Sequence, residues 1–189
     1  AFEARLLEAR PRGKQIAIVL DRTAFYPSGG GQMHDTGTLG GLPVLEVVEE
    51  DGRALHIVNG ALRQAQGATI TGEIDWPRRF DLMQQHTGQH ILSQAFYRLF
   101  NAETISVHMG ETTSTLDLPV RVTMEQITQA EDLANQIVQE NRLVRAAFVA
   151  DEELARLPLR QPPGQHETIR VVEVADFDPT EVRHGERRA

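Results

Sequence analysis

The fold is decided at residues 74–100, which read IDWPRRFDLMQQHTGQHILSQAFYRLF. Before this stretch, apolar residues alternate with a period of two, which is typical of strands, and after Pro77 they recur with the helical period of 3.6. Pro77 suits the first turn of a helix, where its missing N–H costs no hydrogen bond. The sequence therefore predicts a domain boundary here, with residues 1–76 in a first domain and residues 77–189 in a second.

The residues before this boundary are predicted to form strands. Alternating or β-branched segments lie between Gly-rich and Asp-Gly turns, and they are Gln15–Asp21, Pro43–Glu49, Ala54–Val58 and Ala68–Ile74. This spacing fits a compact antiparallel barrel or a sandwich.

The second half is predicted to mix helices and strands. The helix after Pro77 carries an apolar stripe of Gly88, Ile91, Leu92, Ala95, Phe96 and Leu99. Further expected elements are a strand or hairpin at Ser106–Leu118, a helix from Thr123 to about Asn141, a strand at Leu143–Val149, a short helix at Asp151–Leu157 and a strand at Thr168–Val174. The second half is thus α+β, with helices over a mostly antiparallel sheet.

The composition of the 189 residues excludes several classes of protein. Hydrophobic residues make up 40% and charged residues 24%, which are ordinary globular values and argue against disorder. The apolar runs fall far short of the roughly 20 residues that a membrane-spanning helix needs. No signal peptide is recognised, so we expect a cytoplasmic protein without a membrane partner.

The net charge of −8 argues against a protein that coats nucleic acid by bulk electrostatics. A local contact with RNA stays open, because Arg78, Arg79, Arg183, Arg187 and Arg188 could meet phosphates, although each could equally be a solvated surface residue.

His86 and His90 are the first candidate metal ligands. They stand four residues apart on the predicted helix, so their rings emerge from one face and can share a cation. The chain has no cysteine, so any metal must be held by histidine and carboxylate alone. Neighbouring amides and hydroxyls, such as those of Gln89 and Thr87, could orient the imidazoles. The alternative is a pair of partly exposed histidines beside the apolar stripe.

A second feature is the Gly-rich segment FYPSGGGQMHDTG at residues 25–37. Three consecutive glycines allow close backbone approach, and their N–H groups could face a phosphate or another polar ligand. The alternative is a flexible hairpin loop, in which His34 and Asp35 are ordinary turn residues.

Two blocks together, DRTAFYPSGGGQMHDTGTL at residues 21–39 and QHTGQHILS at residues 85–93, closely resemble the alanyl-tRNA editing proteins. These are free-standing relatives of the alanyl-tRNA synthetase editing domain. The resemblance implies a small β-barrel domain with the Gly-rich motif, followed by an α+β editing domain that holds Zn²⁺. It also implies hydrolysis of the ester bond of tRNA(Ala) wrongly charged with serine or glycine, with the tRNA acceptor end as the partner.

The resemblance assigns roles to individual residues of this chain. His86 and His90 would be the first two zinc ligands. Gly29, Gly30, Gly31 and Gln32 would lie near the aminoacylated 3′ end. A hydroxyl in the pocket could recognise serine, and among residues 112–115 we select Thr113. No catalytic residue is identified.

The chain departs from the family near its C-terminal end. The family supplies Cys-Gly-Gly-Thr-His after an Asp-Phe pair, whereas this chain reads DFDPTEVRHG at residues 176–185. Either His184 or a carboxylate replaces the missing ligands, or a ligand loop belonging between about Thr180 and Arg183 is absent from this sequence. This departure raises a second functional hypothesis: a non-catalytic module that binds the tRNA acceptor end and carries a degenerate metal site.

Overall fold

The computed structural model describes residues 1–149 and 169–183. The chain divides into two compact units. The first comprises residues 1–85 and 108–115, and the second comprises residues 86–107 and the residues from 116 onward. The domain boundary between residues 76 and 77 stays a prediction.

The first unit contains a closed barrel of six antiparallel strands. In chain order they are β1 (Phe2–Arg12), β2 (Gln15–Leu20), β3 (Gly37–Leu39), β4 (Leu42–Glu50), β5 (Arg53–Val58) and β6 (Thr69–Ile74). The order around the barrel is β1-β2-β5-β4-β3-β6, and the pairing of β1 with β6 closes it. The predicted β structure is confirmed, and of the two predicted architectures the structure shows the barrel.

The barrel core results from the alternation of side chains along each strand. Its interior is filled by buried apolar residues, namely Ala4, Leu6, Ile18, Leu20, Phe25, Leu39, Val44, Val47, Ala54, Val58 and Ile70. Ala17, Val19, Leu55 and Ile57 form a separate buried cluster from the alternate positions of β2 and β5. These two strands are therefore buried on both faces, which explains why their buried residues are apolar apart from His56.

The predicted helix after Asp75 is α1 (Trp76–Phe100), of which residues 76–85 belong to the first unit and 86–100 to the second. Asp75 caps it, because its Oδ1 accepts a hydrogen bond of 3.3 Å from the Arg78 N–H. The chain leaves the helix at Asn101, whose φ of 51° is left-handed.

The apolar stripe of α1 is confirmed in part. Ile91, Ala95 and Phe96 are buried, but the expectation for Leu99 is wrong, because this residue of the last turn is 43% exposed. Gly88 does not serve close packing among the described residues, since apart from its chain neighbours and the adjacent helix backbone none of their atoms lies within 4 Å of where its Cβ would stand.

The second unit has the predicted α+β composition. Helix α2 (Met124–Gln139) starts at Thr123 with a capping box that Gln126 completes. An antiparallel sheet has the order β11 (Asp178–Arg183), β10 (Ile169–Val174) and β9 (Val144–Val149). Strands β7 (Ser106–Met109) and β8 (Ser114–Asp117) form a two-stranded sheet, of which residues 108–115 belong to the first unit.

The core of this unit joins α1, α2 and the sheet. Its buried members are Ile91, Ala95, Phe96, Ala102, Ala130, Ile137, Val174 and Phe177. The expected short helix at residues 151–157 and His184 lie outside the described residues. Among the residues that are described, neither helix is long and apolar enough to cross a membrane.

Candidate functional site

The Gly-rich loop of the first unit is a tight turn. The Gly29 N–H donates to the Gln32 carbonyl at 3.1 Å, and the Gln32 N–H donates to the Gly29 carbonyl at 3.0 Å. Gly30 and Gly31, with φ of 58° and 78°, occupy the central positions of this turn. Positive φ at both positions is typical of a type I′ turn and explains why both are glycine. The two closing bonds do not use the N–H groups of Gly30 and Gly31.

An ion pair between a partly buried arginine and a buried carboxylate anchors this loop to α1. Asp35, only 1% exposed, accepts hydrogen bonds from the Tyr26 N–H at 2.5 Å and from Arg79 Nε at 2.8 Å. Arg79 Nη2 donates to the second carboxylate oxygen and also to the Ala24 carbonyl, the latter at 2.6 Å. A bidentate pair of this kind fixes geometry as well as contributing energy. Residues 24–35 are therefore held at both ends.

His34 fastens the other side of the loop. Its Nε2 lies 3.0 Å from the Leu45 carbonyl and its Nδ1 lies 3.1 Å from Ser28 Oγ. Because a carbonyl only accepts, Nε2 of the neutral ring carries the proton and Nδ1 accepts from the serine hydroxyl. The side chains of His34 and Asp35 therefore hold the Gly-rich loop in place, and the two residues are not ordinary turn residues.

A polar cavity of about 200 Å³ lies in the first unit. Its lining consists of Met33, Arg78, Asp81, Leu82, Gln85, Met109, Gly110, Glu111, Thr112, Thr113 and Ser114. The Met109 N–H donates to the Gly31 carbonyl at 2.8 Å, which ties the end of β7 to the Gly-rich loop. The hydroxyl-bearing residues of this wall could hydrogen-bond a small polar group.

The predicted substrate-binding residues are brought together in part. Thr113 lines the cavity, and Gly31 contacts the segment that carries Thr113 through Met109. Gly29 and Gly30 are exposed, whereas Gln32 is buried with 6% exposure. Their roles in substrate binding stay predictions.

The two arginines of the first helical turn are engaged within the protein. Arg79 is bound to Asp35, and Arg78 Nε donates to the His34 carbonyl at 3.4 Å. Sequence reasoning missed this use of Arg79, because nothing in the local pattern links residues 44 positions apart.

His86 and His90 of the second unit meet on one face of α1. Their Nε2 atoms are 3.1 Å apart, and the rings stack with centroids 4.9 Å apart and an interplanar angle of 18°. Two nitrogens bound to one tetrahedral zinc at 2.0–2.1 Å stand about 3.3 Å apart, so this geometry fits two of the four zinc positions. Without a metal, one ring must donate its N–H to the lone pair of the other.

The surroundings of the histidine pair include Gln89 and a buried carboxylate. Gln89 Nε2 donates to Ser93 Oγ at 2.9 Å. Asp178, which is 2% exposed, places Oδ2 3.9 Å from Nδ1 of His90. The sequence suggested a carboxylate in this region only as a possible metal ligand, and the structure places Asp178 beside Nδ1 of His90, the ring nitrogen that does not face His86.

Within residues 1–149 and 169–183, no group of three or more histidine, aspartate or glutamate side chains is placed to hold a metal ion. The candidate third ligand His184 lies outside these residues. The assignment of His86 and His90 as zinc ligands stays a prediction that their geometry fits.

Comparison with known proteins adds independent information. The family of class II (A) tRNA synthetases matches residues 3–78. The alanyl-tRNA editing protein Aarsd1-A of Xenopus laevis is 35% identical over 165 residues, which are 85% of this chain and 40% of that protein. Aarsd1 of Mus musculus is 36% identical over 166 residues, covering 85% of this chain and 40% of that protein.

The alanyl-tRNA editing protein AlaX-L of Pyrococcus horikoshii is 30% identical over 188 residues, which are 95% of this chain and 46% of that protein. The chain thus spans less than half the length of these curated relatives. The chain is a homologue of the alanyl-tRNA editing proteins, and the resemblance indicated by the two sequence blocks is confirmed.

Proposed function

We propose that the chain is a zinc-dependent hydrolase that deacylates tRNA(Ala) wrongly charged with serine or glycine, acting on the tRNA in trans. The observation that carries this proposal is the identity of 30–36% with proteins named alanyl-tRNA editing proteins, over 85–95% of the chain. The convergence of Nε2 atoms in the histidine pair supports the metal-binding part.

Hydrolysis of the ester requires a placed water and stabilisation of the charge that develops on the acyl oxygen. The Nε2 atoms of His86 and His90 lie 3.1 Å apart on one helix, which is close to the separation that two ligands of one cation need. When bound there, Zn²⁺ would supply a Lewis acid able to polarise the ester carbonyl, orient a water or hold the substrate amino group.

The Gly-rich loop supplies donors for the polar 3′ end of the tRNA. The N–H groups of Gly30 and Gly31 are not consumed in closing the turn, and the absence of side chains lets a backbone approach closely. With a net charge of −8, the chain is expected to contact the tRNA locally, at the acceptor end, rather than along its phosphates.

Selection of serine over alanine depends on one hydroxyl. Thr113 lines the cavity together with Thr112 and Ser114, so three side-chain hydroxyls are available to pair with that of serine. A polar group left unpaired when alanine is bound costs about 1–3 kcal/mol, or roughly 5- to 150-fold in rate. Thr113→Val should therefore reduce discrimination between seryl- and alanyl-tRNA(Ala), rather than hydrolysis in general.

The decisive experiment measures deacylation of seryl-, glycyl- and alanyl-tRNA(Ala) by the purified chain and by the double variant His86→Ala/His90→Ala. We expect the wild type to hydrolyse the first two and spare the third, and the double variant to be inactive with an unchanged fold. Full activity in the double variant would contradict the proposal that a metal held by His86 and His90 is needed for hydrolysis. Tight tRNA binding by a wild type that hydrolyses nothing would favour the non-catalytic module. Global unfolding of the double variant would indicate a structural metal.

A matched pair of glycines tests the loop. Gly13 and Gly30 have φ of 65° and 58°, and apart from their chain neighbours no described residue has an atom within 4 Å of either Cβ position. Gly13→Val and Gly30→Val should each lose about 1–2 kcal/mol through left-handed strain. Only Gly30→Val should also lower kcat/KM for seryl-tRNA(Ala). Equal activity in the two variants would argue that the loop has no part in the site.

A further inference from the structure

Asp178 is a buried carboxylate that the proposed reaction does not yet use. It is 2% exposed and lies at the start of β11, directly after the turn at residues 175–177. A buried carboxylate is costly to keep charged unless neighbouring groups pair with it. Its Oδ2 lies 3.9 Å from His90 Nδ1, which is within ion-pair range.

One face of α1 holds this turn in place. Gln94 Nε2 donates to the Phe177 carbonyl at 3.0 Å, and Arg98 Nη2 donates to the same carbonyl at 2.6 Å and to that of Asp176 at 3.2 Å. The Arg98 guanidinium also lies 4.5 Å from the centre of the Phe177 ring. Residues four apart share a helix face, so His90, Gln94 and Arg98 form one row along α1, on the side of the turn at residues 175–177. The position of Asp178 against His90 is therefore fixed by three neighbouring contacts.

The two nitrogens of His90 face different groups. Nε2 lies 3.1 Å from Nε2 of His86, whereas Nδ1 lies on the side of Asp178. A carboxylate accepts hydrogen bonds and does not donate them, so it favours the form of the ring that carries its proton on Nδ1. In that form the lone pair is on Nε2 and points toward His86, as a metal ligand requires.

We propose that Asp178 is a positioning residue that keeps the proton of His90 on Nδ1 and so presents the Nε2 lone pair to the cation shared with His86. This inference rests on the metal-binding role of the histidine pair within the proposed function. Before the ligand binds, such contacts are often longer than in the working complex, which is consistent with 3.9 Å. In the metal-free chain the same arrangement requires His86 to donate its Nε2–H to His90.

The first test needs no substitution. Nitrogen NMR of the metal-free wild type reports which nitrogen of each ring is protonated. We expect the proton on Nδ1 of His90 and on Nε2 of His86. A proton on Nε2 of His90 overturns the proposal.

The second test compares two aspartates of one segment by zinc titration against a chelating indicator. Asp178→Asn removes the negative charge that favours a proton on Nδ1 and adds an amide group that can donate to Nδ1, so the His90 proton should move to Nε2 and zinc affinity should fall about 10- to 100-fold. Asp176→Asn is the control, because Asp176 is exposed, its contact with Arg98 uses the backbone carbonyl, and asparagine tolerates its φ of 58°. This variant should match the wild type.

The outcomes separate this inference from the proposed function. Zinc affinity and His90 tautomer both unchanged in Asp178→Asn would overturn the role of Asp178 even if the chain deacylates seryl-tRNA(Ala). The predicted tautomer and affinity loss without any deacylation would support Asp178 and overturn the hydrolase. A wild type that binds no zinc would overturn both.

Discussion

In the barrel unit and in the second unit, the contacts that hold the candidate sites join residues with different separations along the chain. In the barrel unit, Arg79 anchors the Gly-rich loop through Asp35, 44 residues away. In the second unit, Gln94 and Arg98 hold the turn before Asp178 across 83 and 79 residues. Closing a longer loop costs more chain entropy, although the increase is slow. The metal-site candidate therefore depends on more of the chain being folded than the loop candidate does.

The two units also differ in how their buried polar groups are satisfied. In the barrel unit, His56 is fully buried and both ring nitrogens have partners, Thr23 Oγ1 at 2.7 Å and the Ile18 carbonyl at 3.1 Å. In the second unit, Oε1 of the buried Gln94 has no hydrogen-bond partner among the described residues. A buried polar atom without a partner lowers stability. We expect the barrel unit to be the more stable of the two. Within it, we expect loss of the ion pair between Arg79 and Asp35 to lower stability most.

The largest expected effect is the loss of that ion pair. Arg79→Met leaves the carboxylate of Asp35 buried without its bidentate partner, and should lower the free energy of unfolding by about 3–5 kcal/mol. Urea unfolding measures this. Arg10→Met is the control, since Arg10 and Glu50 form a pair in which both side chains are nearly half exposed; its unfolding should stay close to that of the wild type. Equal losses of unfolding free energy in Arg79→Met and Arg10→Met would contradict the expected difference between the two ion pairs.

The next effect tests how tightly the barrel closes. Gly37 pairs with Ile74 of β6, has φ of 149°, and a Cβ there would stand 2.0 Å from the Glu73 carbonyl oxygen. Gly37→Ala should therefore cost about 2–3 kcal/mol, because the obstacle is backbone and cannot rotate away. Thermal unfolding measures the loss. A variant as stable as the wild type would show that β3 and β6 can separate without cost.

A glycine of the second unit should behave in the opposite way. Gly88 lies inside α1 with no described atom near its Cβ position, so Gly88→Ala should raise stability by about 0.5–1 kcal/mol through helix propensity. The same thermal unfolding applies. Deacylation by the same variant tells whether the substrate needs the open space at Gly88, which stands between His86 and His90 in the sequence. Lower stability would mean that a close neighbour occupies that space.

The smallest effect concerns pH. The hydrogen bond from Gln136, followed by that from Arg142, lowers the pKa of Glu140. A lowered folded-state pKa adds stability above the ordinary carboxyl pKa, and this is lost as the pH falls through the lowered value. Gln136→Ala should raise the pKa of Glu140 in an NMR titration and reduce stability slightly near neutral pH, but not in strong acid. Gln139→Ala, one residue before Glu140, should leave that titration unchanged.

Local sequence signals predicted most of the elements. Asp75 with Pro77, and Thr123 with Gln126, mark helix starts through chemistry that acts within one turn. The four-residue spacing of His86 and His90 likewise sufficed to place both rings on one face. Such features depend only on near neighbours, which a single sequence displays.

Contacts between distant residues could not be predicted in this way. The three-residue strand β3 carries too little pattern to be recognised, although it completes the barrel between β4 and β6. The partners of Arg79 and of His90 lie 44 and 88 residues away, and only the packed fold brings them together. Any further ligand to a cation held by His86 and His90 would pose the same problem, because no local pattern identifies it.

The row formed by His90, Gln94 and Arg98 has a consequence for how α1 tolerates changes in length. Each residue added to a helix rotates all later residues by about 100°, so one inserted residue between positions 90 and 98 would turn part of the row away from the turn at residues 175–177. An insertion of four residues rotates the later part of the helix by only about 40°, although it also moves that part about 6 Å along the axis. Most residues between these positions are buried and only Leu92 and Tyr97 are partly exposed, so this part of α1 should accept few single substitutions and hardly any insertion or deletion.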